Sequence, residues 1–156
     1  MDQCTRRIIG FGVHGGDVDG PTLCRLFNEV ISKQDLPRYI SSDNDPLFLY
    51  HRWRANLRIL GMEEIKSVPH VPISHPFVER TIGSIRRELL DQVFFWRSMD
   101  LERKLLDYQH FYNQHRTHTA LEGRPPAPAS DEKDAELSHF RWQAHCHGLF
   151  ELPMAA

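Results

Sequence analysis

The chain has 156 residues, a length that suits one domain with one core. Its composition, 40% hydrophobic and 26% charged, is typical of a soluble globular protein, and it lacks the long apolar run of a membrane span. The net charge of −2 argues weakly against a nucleic-acid partner, but the acidic excess falls in residues 131–156 and most of the 19 basic residues are arginine. Three cysteines without metal-type or redox-type spacing predict buried thiols in a reducing cytoplasm.

The first third of the chain alternates strand and helix. β-Branched and aromatic residues predict a strand over residues 6–14. Asp19 can cap a helix that runs to about Lys33. A short strand over residues 38–42 then ends at Asp43.

The middle of the chain repeats this order. Pro46 begins a helical stretch that Gly61 ends, and apolar residues at helical spacing give it one buried face. Residues 65–68 predict a short strand. Ser74 can then cap a helix that runs to about Asp91.

The last part combines a long helix with an acidic tail. Ser98 or Asp100 can cap a helix that ends near Arg116. We expect a core domain over residues 1–128 and an acidic C-terminal tail over residues 129–156, either a short helix or an ordered arm. The overall order of elements predicts an α/β fold with helices packed on a sheet.

Two carboxylates carry the strongest indication of chemistry. Asp43 follows a predicted strand and Glu79 lies in the first turn of a predicted helix. Carboxylates gathered in this way bind Mg²⁺, and a pair of such ions can activate an attacking hydroxyl and stabilise a leaving oxygen. The plainer alternative is that Asp43 begins a turn and Glu79 stabilises a helix N-terminus.

The helix that carries Glu79 predicts a second feature. Val78, Ile82, Ile85 and Leu89 form a predicted core stripe. Beside that stripe, Glu79, Gly83 and Arg86 repeat at i, i+4 and i+7.

This spacing places Arg86 roughly 10 Å beyond Glu79 on the same face. Gly83 leaves room between them for a nucleic-acid backbone. This helix face therefore predicts, in order, a metal ligand, space for a nucleic-acid backbone and a phosphate-binding cation.

Four segments and Arg86, in order, resemble the integrase catalytic core of insertion-sequence transposases and retroviral integrases. Residues 2–10 (Asp-Gln-Cys-Thr-Arg-Arg-Ile-Ile-Gly) are similar to its Asp-x-x-Ser-Arg-x-Ile-x-Gly segment, and residues 42–45 to its Asp-Asn-Gly motif. Residues 75–79 resemble the start of its glutamate helix, with Arg86 seven residues later. Residues 112–125 resemble its closing Tyr-Asn-x-x-Arg-x-His-x-x-Leu…Pro segment.

The resemblance implies a ribonuclease H-like mixed sheet flanked by helices. It implies DNA cleavage and strand transfer for DNA integration, with two Mg²⁺ (or Mn²⁺) ions once the site is complete. Asp43 and Glu79 would be the catalytic metal ligands, and Arg86, Asn44 and Gly83 would be DNA-binding. The implied partners are transposon-end and target DNA, with other copies of the chain as a homo-oligomer and no membrane.

Departures from the family pattern limit this expectation. The first Asp of the family's triad and the central strand that carries it are not in this sequence; Asp2 is too close to Asp43 to replace it. No helix-turn-helix precedes the core, and Asp45 replaces a Gly, which raises the prospect of a different backbone angle. We therefore expect a truncated core that is inactive alone, or alternatively a non-catalytic remnant that binds DNA or dimerises.

Several remaining residues have two interpretations. The tail holds His139, His145, Cys146 and His147, which either bind zinc or are solvated and packing side chains. A further set is expected to pack or hydrogen-bond rather than act chemically: Arg116, His118, and the three tryptophans Trp53, Trp96 and Trp142 as core. Arg54 and Arg58 either contact phosphate or form a solvated helix face.

Overall fold

The computed structural model describes residues 1–66, 76–128 and 140–155. The chain forms two compact units, one of Gly10–Ser84 and one of Met1–Ile9 together with Ile85–Ala156. Both contain helices and a small sheet, so the predicted α/β class is confirmed. The domain limit expected at residue 128 stays a prediction.

The unit of residues 10–84 alternates helices with two short strands. Its elements in chain order are α1 (Gly20–Ile31), β1 (Tyr39–Ser42), a 3₁₀ helix (Pro46–Leu49), α2 (His51–Ile59), β2 (Glu63–Lys66) and the start of α3 (Pro76–Ile85). Helix α1 begins as predicted, because the carboxylate of Asp19 accepts the Thr22 N–H at 2.9 Å. Gly61, with φ of 70°, follows α2 in the left-handed conformation that favours glycine.

Strands β1 and β2 are parallel and present two different faces. Ile40 pairs with Glu64 and Ser42 pairs with Lys66, while the exposed Ile65 lies opposite Ser41. Side chains alternate along each strand, so the first two pairs share one face. Ile40 packs on the core, which places the polar residues of these pairs on the inner side.

Trp53 is the centre of this unit's core. Its side chain is 1% exposed and packs edge-on against Phe27 and Phe48, with ring centroids 4.9 and 5.4 Å apart. Ile31, Leu57 and Met62 complete the buried cluster. The prediction that Trp53 fills the core is confirmed.

The other unit is built on the longest helix. Its elements are a π-helix (Arg86–Leu90), α4 (Ser98–Gln114), a 3₁₀ helix (Thr119–Leu121), β3 (Phe140–His145), a second 3₁₀ helix (Cys146–Gly148) and β4 (Phe150–Ala155). Strands β3 and β4 form an antiparallel hairpin, so this part of the tail is an ordered hairpin and not a short helix. Among the described helices, none combines the length and the apolar character needed to cross a bilayer.

The strand predicted over residues 6–14 is wrong. Asn113 binds both backbone groups of Ile8: its Oδ1 accepts the Ile8 N–H and its Nδ2 donates to the Ile8 carbonyl, each at 2.9 Å. The Gln109 amide also donates to the carbonyls of Ile8 and Ile9. Side chains of α4 thus bond the backbone that a neighbouring strand would otherwise pair, and no strand precedes β1 in the described residues.

Four smaller expectations are also wrong. Arg97, not Ser98 or Asp100, precedes the first turn of α4, and its side chain makes no capping hydrogen bond. Trp96 and Trp142 are 92% and 66% exposed, because neither lies on a buried face. All three cysteines are free thiols, but only Cys146 is buried and Cys4 is exposed.

Candidate metal and DNA site

Asp43 lies directly after β1 and is exposed. Its Oδ1 accepts the Asp45 N–H at 3.0 Å, and Oδ1 of Asp45 in turn accepts the Leu47 N–H at 2.8 Å. Each short acidic side chain thus bonds the backbone two residues on, as is common in turns. These bonds fix the path of the chain from β1 into the 3₁₀ helix and orient the Asp43 carboxylate.

Asp45 does not need the backbone freedom of the glycine that it replaces. Its φ is −59° and its ψ is 137°, values open to any residue. Its side chain caps the 3₁₀ helix that begins at Pro46. The replacement therefore adds a cap and leaves the backbone unstrained.

A network around Glu64 anchors the end of β1 beside Asp43. Oε1 of Glu64 accepts hydrogen bonds from the Ser42 hydroxyl at 2.6 Å and the Trp53 indole N–H at 2.9 Å. The ammonium of Lys66 lies 2.8 Å from the same oxygen and also donates to the Ser42 hydroxyl. This network ties the residue before Asp43 to β2 and to the core tryptophan.

The network keeps Glu64 ionised although its side chain is only 14% exposed. Burial alone raises the pKa of this carboxyl, but the hydrogen bonds from Lys66, Ser42 and Trp53 outweigh burial, and its pKa lies below the ordinary value. Sequence reasoning missed Glu64. The only available indication was a Glu and a Lys two residues apart on one side of a short strand.

Glu79 lies in the first turn of α3 and is exposed, and Gly83 on the same helix is partly exposed. The buried side of α3 includes Thr81 and Ser84, whereas Ile82 is 54% exposed. The predicted core stripe is therefore wrong at Ile82, because the packed face of the helix is rotated toward these two small polar residues. Ser74, the expected cap, lies outside the described residues.

Asn44 and Arg86 are both exposed, as DNA-binding residues need to be. Asn44 lies in the turn between β1 and the 3₁₀ helix. Arg86 is the first residue of the π-helix and belongs to the unit that contains α4, whereas Asp43 and Glu79 belong to the other unit. The face predicted to join Glu79, Gly83 and Arg86 stays a prediction.

A second glutamate network, also missed from the sequence, lies in the unit built on α4. Glu88 of the π-helix accepts hydrogen bonds from Arg116 on both oxygens, the shortest at 2.7 Å, and from the Tyr108 hydroxyl at 2.6 Å. Burial raises the pKa of Glu88, but these bonds outweigh it and hold the pKa below its ordinary value. The expected hydrogen-bonding role of Arg116 is confirmed.

The chemistry of Asp43 and Glu79 fits a hard divalent cation. Both offer exposed carboxylate oxygens, the ligands that Mg²⁺ and Mn²⁺ prefer. The Asp43 hydrogen bond to Asp45 uses one of two oxygens and so orients the group without removing its capacity to bind metal. In the described part of the chain, neither residue joins a group of three clustered His, Cys, Asp or Glu ligands.

Comparisons with known proteins give one family-model match and one curated relative. Residues 60–126 match the model of the integrase core domain family. The chain is 28% identical over 127 residues to the insertion element IS476 uncharacterized 39.2 kDa protein of Xanthomonas euvesicatoria. That match covers 81% of this chain and 36% of the relative, so the chain spans about a third of that protein's length.

Solved structures show the same fold. The catalytic core domain of BIV integrase superposes with a TM-score of 0.55 at 20% identity, covering 72% of this chain and 70% of that one. The simian T-cell lymphotropic virus intasome, in complex with the PP2A regulatory subunit B56 gamma, contains a chain with a TM-score of 0.61 at 18% identity, covering 83% and 49%. The chain therefore shares the ribonuclease H-like fold of these integrase catalytic cores, and its residues 60–126 match the integrase core domain model.

Proposed function

We propose that this chain acts in DNA integration, as the catalytic core of an insertion-element transposase. The observation that carries the proposal is the position of Asp43: an exposed carboxylate directly after a strand whose last residue is anchored through Glu64. A rigidly supported ligand of this kind suits metal-dependent cleavage and transfer of DNA strands. The similarity to a protein of an insertion element, together with the integrase core match of residues 60–126, supports this proposal.

Asp43 and Glu79 would hold Mg²⁺ or Mn²⁺. The bound metal would stabilise charge on the scissile phosphate and activate the attacking hydroxyl. In a shared site the two carboxylates would repel each other, and a cation would offset that repulsion. Asp43 acts as the fixed ligand because its turn and strand end are held by hydrogen bonds.

The chain alone is proposed to be inactive until a third carboxylate is supplied. Two carboxylates are few for a two-ion site, and neither Asp43 nor Glu79 belongs to a group of three possible ligands in the described residues. Asp2 is a poor substitute, since its carboxylate accepts hydrogen bonds from the Cys4 N–H and the Thr5 hydroxyl. Those bonds assign Asp2 to a local turn.

The proposed partner is DNA, at transposon ends and target, in the cytoplasm. Arg86 would contact phosphate, Gly83 would give the DNA backbone room, and the amide of Asn44 would bond a sugar or phosphate. Replacing Arg86 by Ala should weaken binding to duplex DNA. It should also reduce, by about one, the steepness with which the logarithm of the binding constant falls with the logarithm of salt concentration (the salt slope). Arg87→Ala is the matched control and should leave the slope nearer to that of the parent chain.

Strand transfer tests the catalytic part of the proposal. The purified chain is incubated with a pre-cleaved transposon-end duplex, a target duplex and Mg²⁺ or Mn²⁺, and joined products are counted. The chain should form none. If the parent chain forms products and the Asp43→Asn and Glu79→Gln variants do not, the proposed inactivity is refuted but the assignment of these two residues to the site is supported. Products that persist in both variants would refute the site.

A specific surface also supports a second candidate, a non-catalytic module that dimerises. Phe94, Trp96 and Met99 are 89%, 92% and 72% exposed within one short segment. Exposed apolar residues clustered in this way often mark interaction surfaces. Light scattering should show a dimer of the parent chain and a monomer of Trp96→Ser. A parent chain that stays monomeric at high concentration would exclude this candidate.

A further inference from the structure

Three histidines converge in the unit built on α4. His110 lies on α4, His115 follows its last residue, and His145 ends β3. One ring nitrogen of each lies within 4.8 Å of the others. The rings of His115 and His145 have centroids 4.7 Å apart, and those of His110 and His115 are 6.5 Å apart.

The hairpin is held against α4 by aromatic packing beside these histidines. Phe111 of α4 stacks on Phe150 of β4, with ring centroids 4.0 Å apart and planes within 10° of parallel. Phe150 pairs with His145 across the hairpin, and Phe111 lies 6.0 Å from the His145 ring. The His145 ring is therefore positioned by its strand partner and by the helix.

His145 also has a buried polar atom that the described protein leaves unsatisfied. Its Nε2 is shielded from solvent and has no hydrogen-bond partner among the described residues. A buried imidazole nitrogen without a partner is costly, and bound water or a metal ion can relieve that cost. A polar cavity of about 270 Å³ adjoins it, lined by His110, His145, Asp107, Ala144, Cys146 and His147.

The hairpin turn beside the cavity has an uncommon backbone. Cys146 and His147 have φ of 51° and 58°, in the left-handed region that non-glycine residues rarely adopt. Such conformations persist where the surrounding structure fixes them, and they concentrate at functional sites. The turn carries the chain from His145 to Phe150 in a defined path.

We propose that His110, His115 and His145 bind a divalent transition-metal ion of the Zn²⁺ type, which joins the end of α4 to the hairpin. Imidazole nitrogens are preferred ligands of zinc, whereas Mg²⁺ prefers oxygen. In tetrahedral coordination at about 2.0–2.1 Å, ligand nitrogens lie roughly 3.4 Å apart, so small side-chain rotations would close the present group around the ion. With three protein ligands, a water molecule would complete the coordination of the ion.

The test uses the full chain, stripped of metal, titrated with Zn²⁺ against a chromophoric chelator. The chain should bind one equivalent, and Zn²⁺ should raise its unfolding temperature. His110→Gln and His145→Gln should each weaken binding by more than the roughly 10- to 100-fold loss caused by removing an outer-shell partner. His51→Gln, an exposed histidine of α2, is the matched control and should bind as the parent does.

Circular dichroism of each metal-free variant separates lost binding from lost folding. A folded His145→Gln variant that binds Zn²⁺ as tightly as the parent would refute the proposal. The Asp43→Asn, Glu79→Gln double variant should bind Zn²⁺ normally, because this site does not depend on the proposed catalytic pair. Loss of Zn²⁺ binding in that double variant alone would assign the ion to the carboxylates and also refute the histidine site.

Discussion

Glu64 and Glu88 each organise one of the two compact units, but they do so with different partners. Within the described residues, Glu64 receives its hydrogen bonds on Oε1 alone, and the cation that pairs with it, Lys66, is two residues away on the same strand. Glu88 accepts hydrogen bonds from Arg116 on both oxygens and from Tyr108 on Oε2. It therefore connects the π-helix to α4, which carries Tyr108, and to Arg116, just after the end of α4.

The difference indicates two roles. The Glu64 network joins neighbouring elements around the end of β1, since both Glu64 and Lys66 bond Ser42, so it mainly orients the strand end that leads to Asp43. An arginine that donates to both oxygens of a carboxylate restricts the orientation of the two side chains more strongly than a lysine ammonium does. The Glu88 network therefore contributes more to the stability of its unit.

Removing Arg116 should have the largest effect. Arg116→Ala leaves the partly buried Glu88 without its cation, and we expect the free energy of unfolding to fall by about 1.5–3 kcal/mol. Urea unfolding followed by circular dichroism measures the change. Arg103→Ala, on the exposed side of α4, is the control and should change stability by less than about 0.5 kcal/mol. Equal small losses in both variants would mean that the Glu88 network contributes little.

Trp53→Phe should have the next largest effect, in the Glu64 network. Phenylalanine keeps much of the buried ring packing but removes the indole N–H that donates to Glu64. We expect a loss of about 1–2 kcal/mol in the free energy of unfolding. The same substitution at the exposed Trp96 is the control and should cost less than about 0.5 kcal/mol. A stability of Trp53→Phe equal to that of Trp96→Phe contradicts the role of this donor.

Asp45 offers a smaller test of the turn that follows Asp43. Asp45→Ala removes the side chain that accepts the Leu47 N–H, and we expect a loss of about 1 kcal/mol. Asp45→Asn keeps a capping oxygen and should stay within a few tenths of a kcal/mol of the parent. Thermal unfolding distinguishes the two. If asparagine is as destabilising as alanine, the charge rather than the cap matters at this position.

Acid unfolding should show the smallest effect of the four. The pKa of Glu88 is below its ordinary value of 4.5 in the folded chain. A carboxyl of this kind stabilises the fold above its unfolded pKa, and that contribution disappears as pH falls through the folded pKa. Stability should therefore decline from about pH 4.5 downward, and Glu88→Gln should make the decline shallower. Glu102→Gln, an exposed control on α4, should keep the parent slope.

Local patterns in the sequence predicted much of the fold. The Asp19 cap, the end of β1 at Asp43 and the core position of Trp53 all depend on neighbouring residues or on simple helical spacing. The predicted strand over residues 6–14 failed because strand formation needs a partner, and here Asn113 and Gln109 bind the backbone instead. No local pattern reveals that choice.

The buried polar networks were missed for a related reason. Glu64, Glu88 and Arg116 are residue types that usually lie on the surface, and only their packed partners make burial favourable. The Glu88 to Arg116 pair joins residues that are far apart along the chain, so neither neighbourhood predicts it. Candidate ligands were easier to propose, because Asp43 and Glu79 follow recognisable strand and helix boundaries.

Mn²⁺ binding, followed by electron paramagnetic resonance, tests the central proposal that Asp43 and Glu79 form one metal site. Mn²⁺ prefers oxygen ligands, so the histidine group should interfere little. Asp43→Asn and Glu79→Gln should each weaken binding by about tenfold or more, and Asp45→Asn, in the same turn as Asp43, should bind as the parent does. Equal Mn²⁺ affinity in the parent, Asp43→Asn and Glu79→Gln would contradict the proposal.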